Sequence, residues 1–336
     1  MSDKVLKVKN LAVVFKSRER KVHAVRGVDI EVNEGEIVGI VGESGSGKSV
    51  AMKAVIGILP DNALLSVDVL SLGDKNLNNL SEREYQKIRG KDITMIFQDP
   101  MTALNPVIRV GNQLEEVIVR NSALSKKEAK EKALEMLERV GIPSPKESSK
   151  RYPHEFSGGM RQRVLIAMAL SCNPKLLIAD EPTTALDVTI QAQVLDLIKT
   201  MSKDAGTSVI LITHDLGVVA ETCDRVVIMY GGLVMETGSI EEIFYKPKHP
   251  YTMALLQAIP SIDMDEGERL KSIEGFPPSL IDPPKGCPFV ERCEFRMDIC
   301  SSKRPPLKAF SKTHTSMCFL NEEELEHAFR RQKYGK

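Results

Sequence analysis

The sequence lacks any apolar run long enough to cross a membrane. A membrane-spanning helix needs roughly 18 or more consecutive apolar residues, whereas the longest apolar runs here, residues 209–212 and 226–230, have the length of a strand. The N-terminal residues lead directly into Val5 and Leu6 without the apolar core of a signal peptide. We therefore expect a cytoplasmic chain, and a membrane role only through a partner.

The sequence also lacks net charge, because 46 Lys and Arg residues balance 46 Asp and Glu residues. A balanced chain has no overall attraction to nucleic acid or to an anionic membrane surface, so we expect no nucleic-acid partner. Hydrophobic residues make up 42% and charged residues 27%, which is typical of a soluble globular protein. The length of 336 residues allows a domain of ordinary size with an appendage.

Strand and helix patterns alternate over the first 240 residues. Apolar residues with a period of two predict half-buried strands near the N-terminus, and wholly apolar runs predict buried strands at 36–41, 176–179 and 208–213. Helical patterns lie at 48–58, 125–140, from about 158, and 190–201, and a hairpin lies at 225–236. This order predicts an α/β domain built on a parallel sheet. Proline becomes frequent after residue 238, so we divide the chain into a domain at 1–240 and an extension at 241–336.

A Gly-rich loop follows the first buried strand and precedes a helix. It matches the Walker A pattern of P-loop nucleotide-binding proteins, and it reads Gly42-Glu43-Ser44-Gly45-Ser46-Gly47-Lys48-Ser49. The glycines let backbone N–H groups and the helix N-terminus face phosphates. Lys48 would contact the β- and γ-phosphates of ATP, and the Ser49 hydroxyl would bind Mg²⁺. The residues predicted to bind nucleotide here are Gly42, Ser44, Gly45, Ser46, Gly47, Lys48, Ser49 and Val50.

A second acidic motif ends the buried strand at 176–179. Asp180 and Glu181 follow four apolar residues, as in the Walker B motif. In that role Asp180 would hold Mg²⁺ through its water shell, and Glu181 would polarise the water that attacks ATP. An acidic strand end is common by itself, but its occurrence downstream of a Walker A loop favours this function.

Four further motifs, in order, resemble those of the ATP-binding-cassette (ABC) family. They are Gln98 of the Q-loop, the signature Phe156-Ser157-Gly158-Gly159-Met160, the D-loop Ala185-Leu186-Asp187, and the switch histidine His214. The likeness covers residues 5 to about 240. It implies a RecA-like core with an antiparallel β subdomain and a helical subdomain at about 99–165. The signature departs from its commonest form at Phe156 and Met160, neither of which supplies a catalytic group.

The resemblance implies a role for each matched residue. Glu181, His214 and Gln98 would be catalytic, and Ser49, Gln98 and Asp180 would serve Mg²⁺. Ser157, Gly158 and Gly159 would bind the nucleotide held by a partner cassette, so that ATP joins two subunits, and Asp187 of the D-loop would also bind nucleotide. Phe15 would stack on adenine, although a core-facing role in its strand is equally compatible with the sequence.

The extension is similar to the C-terminal region of dipeptide and oligopeptide importer ATPases, on the segments at 249–260 and 286–293. The sequence at 98–106 resembles the D-type subunit of those importers. The resemblance implies peptide import, a peripheral position at the cytoplasmic face of the membrane, and several partners: a second, different cassette, two permeases and an extracytoplasmic peptide-binding protein. Import of nickel or another small solute is the alternative within transport. A soluble ABC ATPase of DNA repair or translation and an iron–sulfur sensor fit less well.

Four of the six cysteines lie in the extension, at Cys287, Cys293, Cys300 and Cys318. In a cytoplasmic protein such a cluster favours metal binding over disulfides. The two close Cys pairs typical of zinc sites are absent, and iron–sulfur clusters accept wider spacing. The resemblance associates these positions with a [4Fe–4S] cluster. Zinc and free or redox-paired thiols are the two alternatives.

Overall fold

The computed structural model describes residues 4–17, 19–99, 103–184, 186–258 and 273–334. Of the predicted motif residues, Pro100, Met101, Thr102, Ala185, Ile259 and Pro260 lie outside these ranges. The described residues fall into two compact units. The first unit takes its residues from Met1–Leu6, Val32–Ile37 and Asn79–Ile212, and the second from Lys7–Glu31, Val38–Asn78 and Thr213–Lys336.

The second unit contains an antiparallel sheet formed by the N-terminal strands. Its members are β1 (Lys4–Lys16), β2 (Lys21–Asn33), β4 (Ala63–Ser66), β5 (Val69–Leu72) and β6 (Lys75–Asn76). The strands are ordered β2-β1-β5-β6, and β4 pairs antiparallel with β1. Over much of β1 and β2, buried apolar residues alternate with half-buried or exposed residues, as the period of two predicts.

A mixed set of strands in the second unit carries the phosphate-binding loop. β3 (Ile37–Val41) is buried at every position and pairs in parallel with β10 (Arg225–Tyr230). β10 forms the predicted hairpin with β11 (Leu233–Ser239), and the short strands β13 (Thr315–Ser316) and β12 (Lys308–Ala309) extend the order. The helices of this part are α1 (Lys48–Val55), α8 (Leu216–Thr222) and α9 (Ile240–Tyr245). The C-terminal extension is therefore continuous, through β13, with the strands that carry the phosphate-binding loop.

The first unit is built on three parallel strands. β7 (Ile93–Ile96) pairs with β8 (Leu176–Asp180), and β8 pairs with β9 (Ser208–Thr213), in the βαβ arrangement that the sequence predicts. Its helices are α2 (Glu82–Tyr85), α3 (Val110–Asn121), α4 (Lys126–Arg139), α5 (Pro145–Ser148), α6 (Gly158–Leu170) and α7 (Val188–Ala205). Ser125 and Glu128 form a capping box at the start of α4.

The helical elements that follow α9 are α10 (Pro250–Gln257), a 3₁₀ turn (Val290–Arg292), α11 (Asp298–Ser302) and α12 (Glu322–Tyr334). A small apolar cluster of Met253, Leu320, Leu325 and Ala328 joins α10 to α12. No helix among the described residues is both long and apolar enough to span a membrane.

Candidate nucleotide site and cysteine cavity

The phosphate-binding loop (residues 42–49) connects β3 to α1 and can exist only with glycine at two of its positions. Gly42 has φ 156° and Gly47 has φ 99°. A Cβ atom on Gly42 would lie 2.0 Å from the Met229 carbonyl oxygen, and one on Gly47 would lie 2.5 Å from the Ala24 carbonyl oxygen. At Gly45, in contrast, nothing lies within 4 Å of the Cβ position. The loop is packed from beneath and open on its outer side, which fits a cradle for phosphates.

Lys48 is directed by the loop itself. Its side chain is buried, and its Nζ donates to the carbonyl oxygens of Gly42 at 2.7 Å and Glu43 at 3.0 Å. Ser49 and Val50 are half-buried in the first turn of α1, whereas Ser44 and Gly45 are exposed. These contacts fix an ammonium group at the mouth of a backbone cradle, which is an arrangement suited to a bound polyphosphate.

His214 and Phe15 also lie in the second unit. His214 follows Thr213 at the end of β9 and is exposed, and Asp215 caps α8 by accepting from the N–H groups of Gly217 and Val218. Phe15 is half-buried on β1, opposite Ala63 of β4. Stacking of this ring on adenine stays a prediction.

Glu181 is held in an unusual backbone conformation at the end of β8. Its φ is 47°, in the left-handed region that few residues with long side chains adopt. Its N–H donates to Ile212 O at 2.9 Å, and its carboxylate accepts from Gln98 Nε2 at 2.7 Å and Thr184 Oγ1 at 2.9 Å. The preceding Asp180 is buried. The structure therefore brings the predicted Gln98 and Glu181 together and adds Thr184, which no sequence motif indicated. Strained backbone of this kind is typical of functional sites.

The signature residues begin α6. Ser157 caps the helix by accepting from the Met160 N–H at 3.3 Å, and the buried Phe156 anchors the preceding turn. Arg161 Nε donates to Pro153 O at 2.8 Å and Phe156 O at 3.1 Å. Ser157 and Gly158 themselves are exposed. The result is a rigid turn that presents its hydroxyl and helix N-terminus at the surface of the unit.

Asp187 begins α7 beside this turn. Its side chain accepts from the Ile190 N–H at 3.0 Å. A Cβ atom on Gly159 would stand 2.8 Å from Ile190 Cγ2, whereas one on Gly158 would stand 3.7 Å from Leu186 Cδ2. The start of α6 can therefore approach the start of α7 only with glycine at position 159.

All four cysteines of the extension line one cavity. Its walls also include Phe289, Phe295, Met297 and Leu320. Burial, together with neighbouring thiolate charge, raises the pKa of the Cys287 and Cys293 thiols to about 12 and that of Cys318 to about 11. Against this, the N–H groups of Phe289, Phe295 and Leu320 each hydrogen-bond to the sulfur two residues earlier. Sequence reasoning therefore correctly grouped these four residues in space.

The predicted metal or cluster at these cysteines finds no support in the side-chain positions. Within the described ranges, no three His, Cys, Asp or Glu side chains form a group that could hold a metal ion. The structure presents a cavity lined by four thiols. Cys172 and Cys223 lie elsewhere, half-buried and buried respectively.

Two protein families match the chain. Residues 25–184 match the ABC transporter family, and residues 235–300 match the C-terminal region of oligopeptide/dipeptide transporters. The dipeptide transport ATP-binding protein DppD of Bacillus subtilis is 52% identical over 97% of both chains. The oligopeptide transport ATP-binding protein OppD of Escherichia coli is 50% identical over 96% of this chain and 95% of its own.

Solved structures show the same fold. A dimeric ATP-binding cassette in a post-hydrolysis state, bound to ADP and Pi, is 30% identical and covers 70% of this chain and 98% of its own with a TM-score of 0.60. The cassette CbiO1 of Clostridium perfringens, part of the CbiONQ transporter complex, has a TM-score of 0.59 at 30% identity, over 73% of this chain and 92% of its own. The predicted cassette fold is confirmed. The chain belongs to the family of ABC transporter ATP-binding proteins, which are ATPases.

Proposed function

We propose that this ATPase drives the import of peptides, as a peripheral subunit at the cytoplasmic face of the membrane. The observation that carries the proposal is the extension: residues 235–300 match a C-terminal region described for oligopeptide/dipeptide transporters. Relatives at about 50% identity over nearly the whole chain are named as dipeptide or oligopeptide transport proteins. An importer of nickel or another small solute is the alternative.

We assign the nucleotide chemistry residue by residue. Lys48 and the phosphate-binding loop would hold the phosphates of ATP, and Ser49, Gln98 and Asp180 would serve Mg²⁺, which neutralises charge on the phosphates when bound. Glu181 would orient and polarise the attacking water as the general base. Its two hydrogen bonds, from Gln98 and Thr184, fix the carboxylate before the reaction. His214 would contact the γ-phosphate.

We propose that the exposed signature turn serves a partner cassette. Ser157 and Gly158 are exposed while the turn behind them is held by Arg161, so the hydroxyl and N–H groups can reach a phosphate outside this chain. A solved relative of 30% identity is described as a dimer. The likeness to D-type subunits indicates that the partner is a second, different cassette, with Asp187 near the same contact.

We propose that a groove in the first unit receives the two permeases. The groove has a volume of about 680 Å³, and its walls include Glu82, Arg89, Gln113, Arg120 and Met168. Arg89 is paired with Glu82 at 2.7 Å, and Arg120 is exposed. A short helical segment with one apolar side chain and flanking charges would fit this mixed lining. Arg120→Glu should reduce co-purification with the permeases, whereas Lys132→Glu, at a half-buried position of α4 that does not line the groove, should not. Equal recovery of both variants would remove the groove from this role.

For the four-cysteine cavity we propose a thiolate-bound [4Fe–4S] cluster. What supports it is that four thiols line one apolar cavity, with three N–H···S hydrogen bonds that stabilise thiolate. Zinc is the alternative metal at these four cysteines. Protein prepared without oxygen should contain about four irons and four sulfides per chain. One zinc, or no metal, would refute the cluster and leave the ATPase assignment intact.

Transport itself is tested with the complete importer. The chain should be assembled with its second cassette and two permeases in proteoliposomes, and ATP hydrolysis measured with a peptide-loaded binding protein. We expect stimulation by peptide-loaded binding protein and none by the same protein without peptide. Stimulation by a Ni²⁺-loaded binding protein alone would establish the nickel alternative.

A further inference from the structure

Glu43 is the one residue of the phosphate-binding loop with an acidic side chain, and the residues after 238 hold it at two points. Its N–H donates to the Tyr251 hydroxyl at 3.1 Å. Its carboxylate accepts from Arg292 Nη1, at 2.9 Å to one oxygen and 2.8 Å to the other. Its carbonyl oxygen accepts from Lys48 Nζ at 3.0 Å. The same residue therefore contacts both the extension and the lysine that faces the phosphates.

Three further hydrogen bonds fix Arg292, two of them to main-chain oxygens of the extension. Nη2 donates to Ile273 O at 2.9 Å, Nε donates to Glu274 O at 2.8 Å, and Nη1 also reaches the Tyr230 hydroxyl at 3.0 Å. Only 6% of its side chain is exposed, against 24% for Glu43. A planar guanidinium with its donors engaged on several sides has one orientation. The ion pair is therefore geometrically defined, unlike a mobile surface pair.

Aromatic rings continue the connection towards the four-cysteine cavity. Tyr230, Tyr251 and Phe289 pack together with ring centroids 4.5 to 5.5 Å apart. The Arg292 guanidinium lies 6.0 Å from the centroid of Phe289, which also lines the cavity. Arg292 directly precedes Cys293. Packed side chains thus run without interruption from the cavity to the phosphate-binding loop.

We propose that Arg292, assisted by Tyr251, is a positioning residue for nucleotide binding. By holding Glu43 at its carboxylate and its N–H, the extension fixes the Glu43 carbonyl oxygen, and that oxygen directs the Lys48 ammonium. Loss of the ion pair frees the loop backbone, so nucleotide binding must then restore its order and the affinity falls. The coupling is reciprocal: bound nucleotide stabilises the attachment of the extension by the same factor.

The affinity of the isolated chain for Mg-ADP, measured by calorimetry, tests this proposal. Arg292→Met should raise the Kd on the order of 10-fold, within the usual range for coupled sites. Arg292→Lys keeps the positive charge but loses the planar guanidinium group, so its Kd should lie between those of Arg292→Met and wild type. The matched control is Arg304→Gln: Arg304 also belongs to the extension and donates to a main-chain oxygen outside it, that of Arg26, at 3.1 Å. Its loss should leave the Kd unchanged. Thermal unfolding reports whether each variant is folded.

Two further measurements separate positioning from a general loss of structure. In steady-state hydrolysis Arg292→Met should raise KM and leave kcat nearly unchanged, because it touches neither Glu181 nor His214. Glu43→Gln should weaken binding as Arg292→Lys does, and Glu43→Gln combined with Arg292→Met should be no worse than Arg292→Met alone. The proposal is overturned by an unchanged Kd in folded Arg292→Met, by an equal rise in Arg304→Gln, or by additive effects in the double variant. If Arg292→Met does not fold, Arg292→Lys and Glu43→Gln decide.

Discussion

Glu181 combines a left-handed backbone with a carboxylate that two side chains hold. We predict that Glu181→Gln retains nucleotide affinity, because the phosphate-binding loop is untouched. Hydrolysis should fall on the order of 10²-fold or more, because the substitution removes the proposed general base. Calorimetry of the isolated chain and steady-state hydrolysis by the assembled transporter measure the two effects.

The control for this substitution is Glu135→Gln, which removes an exposed carboxylate paired with Lys132 on α4. It should leave hydrolysis unchanged. Hydrolysis by Glu181→Gln at the wild-type rate would exclude Glu181 as the base.

Among single residues of the candidate site, the sequence predicted those that belong to a local motif. The apolar run before Asp180 and Glu181 indicates a strand that ends in two acids, and the structure has β8 end at Asp180. Thr184 could not be predicted in this way. Its hydroxyl reaches the Glu181 carboxylate because a turn, closed by the Thr184 N–H donating to Glu181 O, brings the two side chains together. Arg292 and Glu43 are 249 positions apart, and no local pattern connects them.

The contact between the first turns of α6 and α7 depends on Gly159. We predict that Gly159→Ala destabilises the fold by about 1–3 kcal/mol, since its methyl group would overlap Ile190 and force the helices apart. Gly158→Ala is the matched control, because the same methyl group there makes an ordinary contact with Leu186. Thermal unfolding compares the two. Equal melting temperatures would show that the Ile190 side chain can move aside without loss of stability.

Glu242, in the first turn of α9, accepts hydrogen bonds from the hydroxyl groups of Ser311 and Thr313. Burial alone would raise the pKa of this carboxyl, but hydrogen bonds from Ser311, the Ser239 N–H and Thr313 outweigh burial and lower the pKa to about 2. A lowered pKa stabilises the fold above the ordinary value of 4.5, and this stabilisation is lost as the pH falls from 4.5 towards 2.

We therefore predict that Glu242→Gln lowers the melting temperature at neutral pH, and that its difference from wild type narrows as the pH falls below 4.5. Glu241→Gln, at the exposed neighbouring position, should match wild type throughout. A constant difference between Glu242→Gln and wild type at all pH values would show that ionisation of Glu242 contributes nothing.

Element boundaries were predicted less well than element types. The helix expected at 48–58 ends at Val55, because Gly57 takes a left-handed conformation with φ 71°. The helix expected at 190–201 is longer, Val188–Ala205, because Asp187 caps its first turn and Gly206 ends it. Apolar periodicity locates the buried face of a helix, whereas polar caps set its ends.

In the proposed assembly, the signature turn of the molecule contributes to a nucleotide site that a partner cassette completes. We predict that the isolated chain is monomeric, or weakly dimeric with ATP, and hydrolyses ATP slowly. Sedimentation with and without Mg-ATP, together with the hydrolysis rate, tests this. A tight dimer of identical chains that forms without ATP and has full activity would instead support a soluble ABC ATPase.

For the molecule as a whole, the family, the fold and the grouping of the four cysteines followed from the sequence. The domain boundary at about residue 240 stays a prediction. No sequence pattern indicated that the extension contacts the phosphate-binding loop, because the contact consists of an aromatic cluster and an ion pair assembled from distant segments.

The distance along the chain between Glu43 and Arg292 has a consequence for biosynthesis. Arg292 lies 249 positions after Glu43, and at roughly 5–20 residues per second a ribosome covers that distance in about 10 to 50 seconds. During most of that interval the nascent phosphate-binding loop lacks Arg292, and β3 lacks its parallel neighbour β10 until residues 225–230 have been added. Full nucleotide affinity should therefore be acquired only near the end of translation, so that ATP is bound tightly by completed chains rather than by ribosome-attached fragments.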